Sequence, residues 1–149
     1  FVTEIRQTFS EWATHVVRLY SGDAELASYI EVEWTVGPIP MDTPWFPPVA
    51  QGKPNLWGKE VSMRYSSGLK RKGTFYTDSN GREMVKRVYN KRGPSYPPLN
   101  VTEPVAGNYY PINSMISLDD GCAEMAIITD AALGGASLKD GELELMGTF

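Results

Sequence analysis

The feature that most constrains this chain is a period-two alternation of apolar and polar residues, clearest between Ala27 and Val36. The two sets are Ile30, Val32, Trp34 and Val36 on one side and Tyr29, Glu31, Glu33 and Thr35 on the other. Because successive side chains of a strand point to opposite faces, the pattern predicts a strand with one apolar and one solvated face.

Further strands are predicted from runs that are mostly rich in β-branched and aromatic residues. They are Val2–Phe9, Trp12–Tyr20, Lys59–Tyr65, Thr74–Asp78, Arg82–Tyr89, Tyr109–Leu118, Ala123–Thr129 and Glu142–Met146. The dipeptide Asn80-Gly81 is a strong hairpin signal. Asp119-Asp120-Gly121 and Asp140-Gly141 indicate further tight turns. The segment Asp130–Asp140 is predicted to hold at most a short helical turn. Many short strands between turns favour an antiparallel β-sandwich.

The length of 149 residues suits one domain, predicted over 1–149. Ten of the eleven prolines fall within 38–54 and 94–104, which are predicted to be long loops because proline cannot donate to a strand ladder. The net charge of −4 gives no overall attraction to nucleic acid or anionic lipid. Both ends lie in strand-like runs, so we expect a piece of a longer protein that exposes a sheet edge and tends to associate.

Metal and nucleophile chemistry find little support in the sequence. One His and one Cys fall short of the ligands of a zinc site and exclude an internal disulfide framework. His15 is predicted to be a hydrogen-bonded strand histidine, and Cys122 a buried, inert thiol. Asn100 begins an Asn-Val-Thr acceptor for N-glycosylation.

Two charge patterns leave alternatives open. Glu31 and Glu33 lie roughly 7 Å apart on one strand face, a glycosidase-like spacing that a solvated face also produces. Asp119 and Asp120 are interpreted as turn formers. Nine of the fourteen Lys and Arg residues lie between Arg64 and Arg92. That stretch fits a surface for single-stranded nucleic acid, a solvated hairpin, or a surface that docks on an acidic partner.

Five segments, in order and in register, resemble the C-terminal half of the lysosomal-type α-mannosidases of glycoside hydrolase family 38. They are 31–40 (EVEWTVGPIP), 57–61 (WGKEV), 75–83 (FYTDSNGRE), 102–111 (TEPVAGNYYP) and 134–146, which contains GG, SL and DGELELM. The resemblance implies a fragment of a galactose mutarotase-like supersandwich. It also implies a retaining, zinc-dependent parent enzyme that hydrolyses terminal α-mannosides of N-glycans.

The family's Asp nucleophile and its two Asp and two His zinc ligands belong upstream, so this chain is expected to carry no catalytic or metal-binding residue and to be inactive alone. The implied partners are the remaining mannosidase chain and mannose-containing glycans, without nucleic acid or membrane. The implied location is the lysosome or another acidic compartment of the secretory pathway. A stand-alone carbohydrate-binding or nucleic-acid-binding module is the alternative.

Position within the shared motifs makes five residues candidates for the border of the pocket. They are Asn80, Arg82, Asn108, Tyr109 and Tyr110. The sequon at Asn100 also falls where lysosomal relatives carry one. Family members usually continue after Met146 to a pair of arginines, one of which approaches the bound sugar. This chain has Gly147-Thr148-Phe149 instead, so no catalytic residue is carried over from the family.

Overall fold

A computed structural model describes residues 1–22, 25–40, 59–93 and 103–147. Most of both proline-rich stretches, 38–54 and 94–104, and the sequon at Asn100 therefore lie outside the described residues. The chain, predicted as one domain, divides into two compact units, 1–59 and 60–148. All paired strands of both units are antiparallel. No described helix is long and apolar enough to cross a membrane.

The first unit is a three-stranded sheet with the strand order β1-β2-β3. Its strands are β1 (Val2–Ser10), β2 (Ala13–Tyr20) and β3 (Ile30–Val36), and a short 3-10 turn covers Leu26–Ser28. The register places Gln7, His15 and Trp34 in one row across the three strands. It places Glu4, Arg18 and Glu31 in another row, with Arg18 in the middle. One face is therefore mainly apolar and the other charged, as the alternation predicts.

Burial on the apolar face is incomplete. Val32, Trp34 and Val36 are half-buried, but Ile30 is 66% exposed. It lies on the predicted apolar face of β3, which is therefore not buried along its whole length. The described residues of this unit supply only one sheet layer. A single layer cannot cover its own apolar face, which normally needs a second element packed on it.

The second unit contains two four-stranded sheets, ordered β4-β11-β10-β7 and β6-β5-β8-β9. The strands are β4 (Val61–Ser66), β5 (Thr74–Ser79), β6 (Glu83–Val88), β7 (Tyr110–Ile112), β8 (Met115–Asp119), β9 (Glu124–Ile128), β10 (Leu133–Ala136) and β11 (Glu142–Gly147). A 3-10 turn, Ala106–Asn108, precedes β7.

The two sheets of the second unit face each other across a common core. Phe75, Ile112, Ile116 and Leu143 are fully buried. The rings of Phe75 and Tyr110, which belong to different sheets, meet edge to face at 5.8 Å. The predicted antiparallel β-sandwich is confirmed.

Two strand predictions need correction. The run Tyr109–Leu118 forms two strands in different sheets, separated by 113–114, because the chain crosses between the layers there. The segment Asp130–Asp140 contains strand β10 rather than a helical turn. Its glycines suit a position where neighbours approach closely, since a Cβ added to Gly135 would lie 2.9 Å from Cδ1 of Ile116.

Two single-residue predictions are also wrong. Cys122 is exposed rather than buried, because it lies in the turn before β9. His15 lies on β2 as predicted, but neither of its ring nitrogens has a hydrogen-bond partner among the described residues. Instead its ring meets Phe9 at 5.0 Å and Trp34 at 4.5 Å, both edge to face. Aromatic packing takes the place of the expected hydrogen bond.

Candidate functional site

Asn80 and Gly81 form the turn of the β5–β6 hairpin. Their φ angles are +52° and +67°, and Arg82 N–H donates to Ser79 C=O at 3.0 Å. Positive φ at both central residues defines a type I′ turn, which matches the twist of the flanking strands. The turn exposes the side chains of Asn80 and Arg82, and Asn80 Oδ1 accepts a bond of 3.0 Å from Asn113 Nδ2.

Asp78 lies beneath this turn and is 4% exposed. Its Oδ2 accepts from Gly81 N–H at 2.8 Å, and its Oδ1 accepts from the N–H groups of Asn113, Ser114 and Met115 at 2.8–3.1 Å. Burial alone would raise the pKa of Asp78, but the four N–H donors outweigh it and hold that pKa well below its usual range. One carboxylate thus fixes the hairpin and the crossing between the sheets.

Asn108 is buried and joins two loops. Its Oδ1 accepts from Asn90 N–H at 2.8 Å, and its Nδ2 donates to Asn90 Oδ1 at 2.9 Å and to Pro104 C=O at 2.8 Å. Three of the hydrogen-bonding positions of the amide are thus occupied within the fold. Asn90 itself has a φ of +56°.

Tyr109 belongs to a polar cluster on the outer side of the first sheet of this unit. Its hydroxyl donates to Glu144, which is 4% exposed and also accepts from Arg64 Nε at 2.7 Å. Burial and the Glu144 carboxylate together raise the pKa of Tyr109. We refer to Arg64, Tyr109 and Glu144 as the Glu144 cluster. The alternation in 142–146 predicts that Glu144 shares one strand face with Glu142, but it does not indicate that Glu144 is buried.

Tyr110 is a core residue and is 7% exposed. Two guanidinium groups lie against its ring, those of Arg87 at 4.3 Å and Arg92 at 4.8 Å from the ring centroid. Arg87 Nε also donates to Thr77 Oγ1 at 3.0 Å. The ring therefore holds two cations of the basic stretch, the half-buried Arg87 and the exposed Arg92.

The five candidate residues do not converge on one place. Asn80, Arg82 and Asn113 lie at the end of the sandwich where β11 finishes and β4 begins, which we call the hairpin end. Asn108 lies toward the opposite end, which we call the loop end, where Asp140 accepts from the N–H groups of 71 and 73. Tyr109 and Tyr110 lie between the two ends. Tyr109 is on the outer side of the sheet that contains β7, and Tyr110 is on the inner side of the same sheet.

Other chemical candidates are engaged in structural contacts. Glu31 and Glu33 project from the exposed face of β3, and Arg18 donates to both, at 2.8 and 2.7 Å. Asp119 and Asp120 accept from backbone N–H groups of their own turn, as predicted. Among the described ranges, no three His, Cys, Asp or Glu residues are grouped so as to hold a metal ion, so these residues do not fit a zinc site.

The basic stretch is dispersed. Arg64 is paired with the carboxylate of Glu144, and Arg87 is turned inward toward Tyr110. Lys86 is exposed on the outer side of β6. These side chains therefore do not line one continuous groove of the kind that follows a nucleic-acid backbone.

The sequence of this chain agrees with one protein family along almost its whole length. Residues 1–146 match the model of the glycosyl hydrolases family 38 C-terminal domain. Over 145 residues, 97% of this chain, it is 48% identical to lysosomal alpha-mannosidase of Homo sapiens and 50% identical to that of Bos taurus. It is 43% identical over the same length to alpha-mannosidase of Canavalia ensiformis.

In each of these relatives the matched region is 13% of the protein, so this chain corresponds to a small part of much longer polypeptides. The family match covers both compact units described above. The antiparallel sheets and the sequence agreement along almost the entire chain lead to one assignment. The chain belongs to glycosyl hydrolase family 38, within the C-terminal domain of that family.

Proposed function

We propose that this chain is the non-catalytic C-terminal β part of a retaining, zinc-dependent α-mannosidase that hydrolyses terminal α-mannosides of N-glycans. Its role is to border and support an active site supplied by the upstream catalytic domain. The observation that carries the proposal is the agreement with lysosomal alpha-mannosidases over 97% of the chain. The zinc of the parent would then be held outside this region, whose described residues do not fit it.

The state of the buried carboxylates supports a structural role. A general acid or base needs a pKa near the working pH and access to the substrate. Asp78 meets neither condition, because four backbone N–H groups occupy both of its oxygens and lower its pKa. Glu144 is buried against Arg64 and Tyr109. These two carboxylates therefore stabilise the sandwich and are not proposed to react.

The hairpin end is the part of the sandwich that we propose to lie beside the pocket. Asn80 and Asn113 present amide groups there, and Arg82 adds an exposed guanidinium on the same hairpin. Amide and guanidinium groups are suitable partners for sugar hydroxyls. Asp78 holds this end rigid, which favours precise placement of groups at a site.

A lysosomal or other acidic location agrees with the electrostatics. Backbone N–H donors lower the pKa values of Asp78 and Asp140. Both groups therefore stay ionised, and keep their hydrogen bonds, at the mildly acidic pH of such a compartment.

The proposal is tested in the full parent protein with aryl α-mannoside hydrolysis. Asn80→Ala and Arg82→Ala are each expected to lower kcat/KM by roughly tenfold, the effect of about one lost hydrogen bond. The thermal unfolding temperature should stay unchanged in Arg82→Ala, whose side chain is exposed, and should fall slightly in Asn80→Ala, because alanine is disfavoured at a φ of +52°.

Lys86→Ala, on the outer side of the same hairpin, is the matched control and should leave kcat/KM unchanged. Unaltered kinetics in both hairpin variants would show that this end is not beside the pocket. A parent protein that hydrolyses no α-mannoside would refute the proposed activity itself.

A further inference from the structure

A small cavity lies at the loop end of the sandwich, away from the hairpin end. Its volume is about 250 Å³. It is lined by Lys72, Gly73, Tyr89, Ser137, Leu138, Lys139 and Asp140. The volume is below the ~300–1,000 Å³ of sites for drug-sized ligands, so the cavity suits a smaller molecule. Part of its wall is the Ser-Leu-Lys-Asp segment, 137–140, which the proposed function leaves without a role.

Tyr89 provides an aromatic wall that the backbone holds in place. Its N–H donates to Gly73 C=O at 2.9 Å, and the side chain is 38% exposed. A Cβ added to Gly73 would lie 3.2 Å from Cβ of Tyr89, so a glycine is needed for this close approach. The φ of Gly73, +72°, also favours glycine. The aromatic ring is thus both accessible and positioned.

Asp140 provides a fixed acceptor. Its Oδ1 accepts from the N–H groups of Arg71 at 3.0 Å and Gly73 at 3.2 Å. These backbone bonds lower the pKa of Asp140, so the group stays ionised in mildly acidic solution. The N–H of Lys72 is a third backbone donor to this carboxylate, which has about four lone-pair positions in all. A carboxylate oxygen is a strong acceptor for a hydroxyl group.

Lys72 and Lys139 are the two lysines that line the cavity together with this carboxylate. Lys72 has a φ of +53°, in the left-handed region that few side chains adopt, and its side chain is exposed. Lys139 Nζ donates to Glu142 Oε1 at 3.2 Å, which orients its ammonium group. An ammonium group has three N–H donors, so the bond to Glu142 leaves others for a ligand.

We propose that this cavity binds one hexose unit of a mannose-containing glycan, at a subsite separate from the catalytic pocket. The proposal rests on the proposed function, which supplies the class of glycan. A hexose combines an apolar C–H face, suited to the ring of Tyr89, with hydroxyls that both donate and accept. The ionised Asp140 offers a hydrogen-bond acceptor and the two lysines offer donors, all within one small cavity. The subsite would hold an outer branch of a glycan while another branch is cleaved.

The test measures sugar binding in the full parent protein by saturation-transfer NMR, with the catalytic pocket filled by an iminosugar inhibitor. The probes are methyl α-mannoside and an α-linked mannobiose. Wild type and Tyr89→Phe should show transfer to the sugar protons, because both keep the ring. Tyr89→Ala should weaken binding at least about tenfold, since it removes the aromatic ring on which the sugar is proposed to pack. Tyr29→Ala, an exposed tyrosine of the first unit, is the matched control.

Absence of transfer in wild type, or unchanged binding in folded Tyr89→Ala, would overturn the subsite. Circular dichroism establishes whether Tyr89→Ala is folded. If Tyr89→Ala is not folded, Lys72→Met takes its place in the test. Lys72→Met should weaken sugar binding at least about threefold. Unchanged sugar binding in this variant would contradict the proposal. Hydrolysis of aryl α-mannosides is measured separately, without inhibitor. Hydrolysis without sugar binding in the blocked protein refutes the subsite alone, whereas absence of hydrolysis refutes the proposed function.

Discussion

The amide of Asn108 and residue Asn90 bind each other twice, through Asn90 N–H to Asn108 Oδ1 and Asn108 Nδ2 to Asn90 Oδ1, at 2.8 and 2.9 Å. A third bond from Nδ2 reaches Pro104 C=O. This pairing connects the end of the β5–β6 hairpin to the segment that leads into β7. A motif residue predicted to lie beside a pocket is therefore also a structural connector, and it is buried.

We expect Asn108→Ala to destabilise the second unit by about 1–3 kcal/mol, because it leaves buried partners unsatisfied. Asn108→Asp should also destabilise it near neutral pH, since a carboxylate cannot donate to Asn90 Oδ1 or Pro104 C=O. Burial beside these two acceptors raises the pKa of the new carboxyl above the ~3.9 of a free Asp, and protonation restores one donor, so the cost of the Asp variant should shrink as pH falls from neutral toward about pH 4. Urea unfolding measures these changes. Asn113→Ala removes one partner of an exposed amide pair, so it should lower the free energy of unfolding less than Asn108→Ala does.

Removing the charge of Asp78 should change how stability depends on pH. The pKa of Asp78 is lowered in the fold from its usual value of 3.8. Its stabilising contribution is therefore complete above about pH 4 and is lost as pH falls below that value. In urea unfolding, Asp78→Asn should be destabilised at pH 5 to 7 by about 1–3 kcal/mol. The gap to wild type should narrow as pH falls from 4 toward 2.

Asp130→Asn serves as the control for Asp78, since Asp130 is exposed. It should leave stability unchanged across the same pH range. A gap between Asp78→Asn and wild type that stayed constant from pH 7 to pH 2 would contradict the role assigned to the ionised carboxylate.

Gly135 of β10 lies close to Ile116, which belongs to the facing sheet of the second unit. Gly135→Ala should destabilise this unit by about 1–3 kcal/mol, because the added Cβ would lie 2.9 Å from Ile116 Cδ1. Adding Ile116→Val removes that atom and should recover part of the loss. Gly68→Ala is the matched control, since nothing lies within 4 Å of its added Cβ. If Gly135→Ala and Gly68→Ala had equal stabilities in urea unfolding, the close packing of Gly135 against Ile116 would be contradicted.

Arg18 neutralises three carboxylates on the exposed face of the first unit. It donates to Glu4 at 3.0 Å, to Glu31 at 2.8 Å and to Glu33 at 2.7 Å. Arg18→Ala should weaken protection of the β2 amides against hydrogen exchange, because the three carboxylates are left to repel one another. The effect should shrink in 1 M salt, which screens exposed charges. Arg6→Ala, which removes a single ion pair with Glu4, should have a smaller effect.

Local signals in the sequence predicted most of the sheet. The alternation in 30–36 and the Asn80-Gly81 dipeptide are short-range features, and the structure has a strand and a type I′ turn there. Strand β10 escaped prediction because Leu133–Ala136 has two glycines and no alternation. Its strand state depends on neighbours β7 and β11, which are distant in sequence. Such tertiary dependence is common for strands.

The chemistry of buried groups was less predictable. Asp78 follows an ordinary strand pattern, and nothing in its neighbourhood indicates that backbone donors at 113–115 would reach it. The exposure of Cys122 and the unpaired nitrogens of His15 likewise depend on packing across strands. Shared motifs located Asn80 and Asn108, but the strand directions that place them toward different ends appear only in the fold.

This chain is proposed to carry no catalytic set of its own. The direct measurement is hydrolysis of an aryl α-mannoside by the 149-residue chain and by its full parent protein, each with added zinc and with a chelator. We predict turnover by the parent protein that the chelator removes, and none by the chain alone. Zinc-dependent turnover by the chain alone would contradict the account.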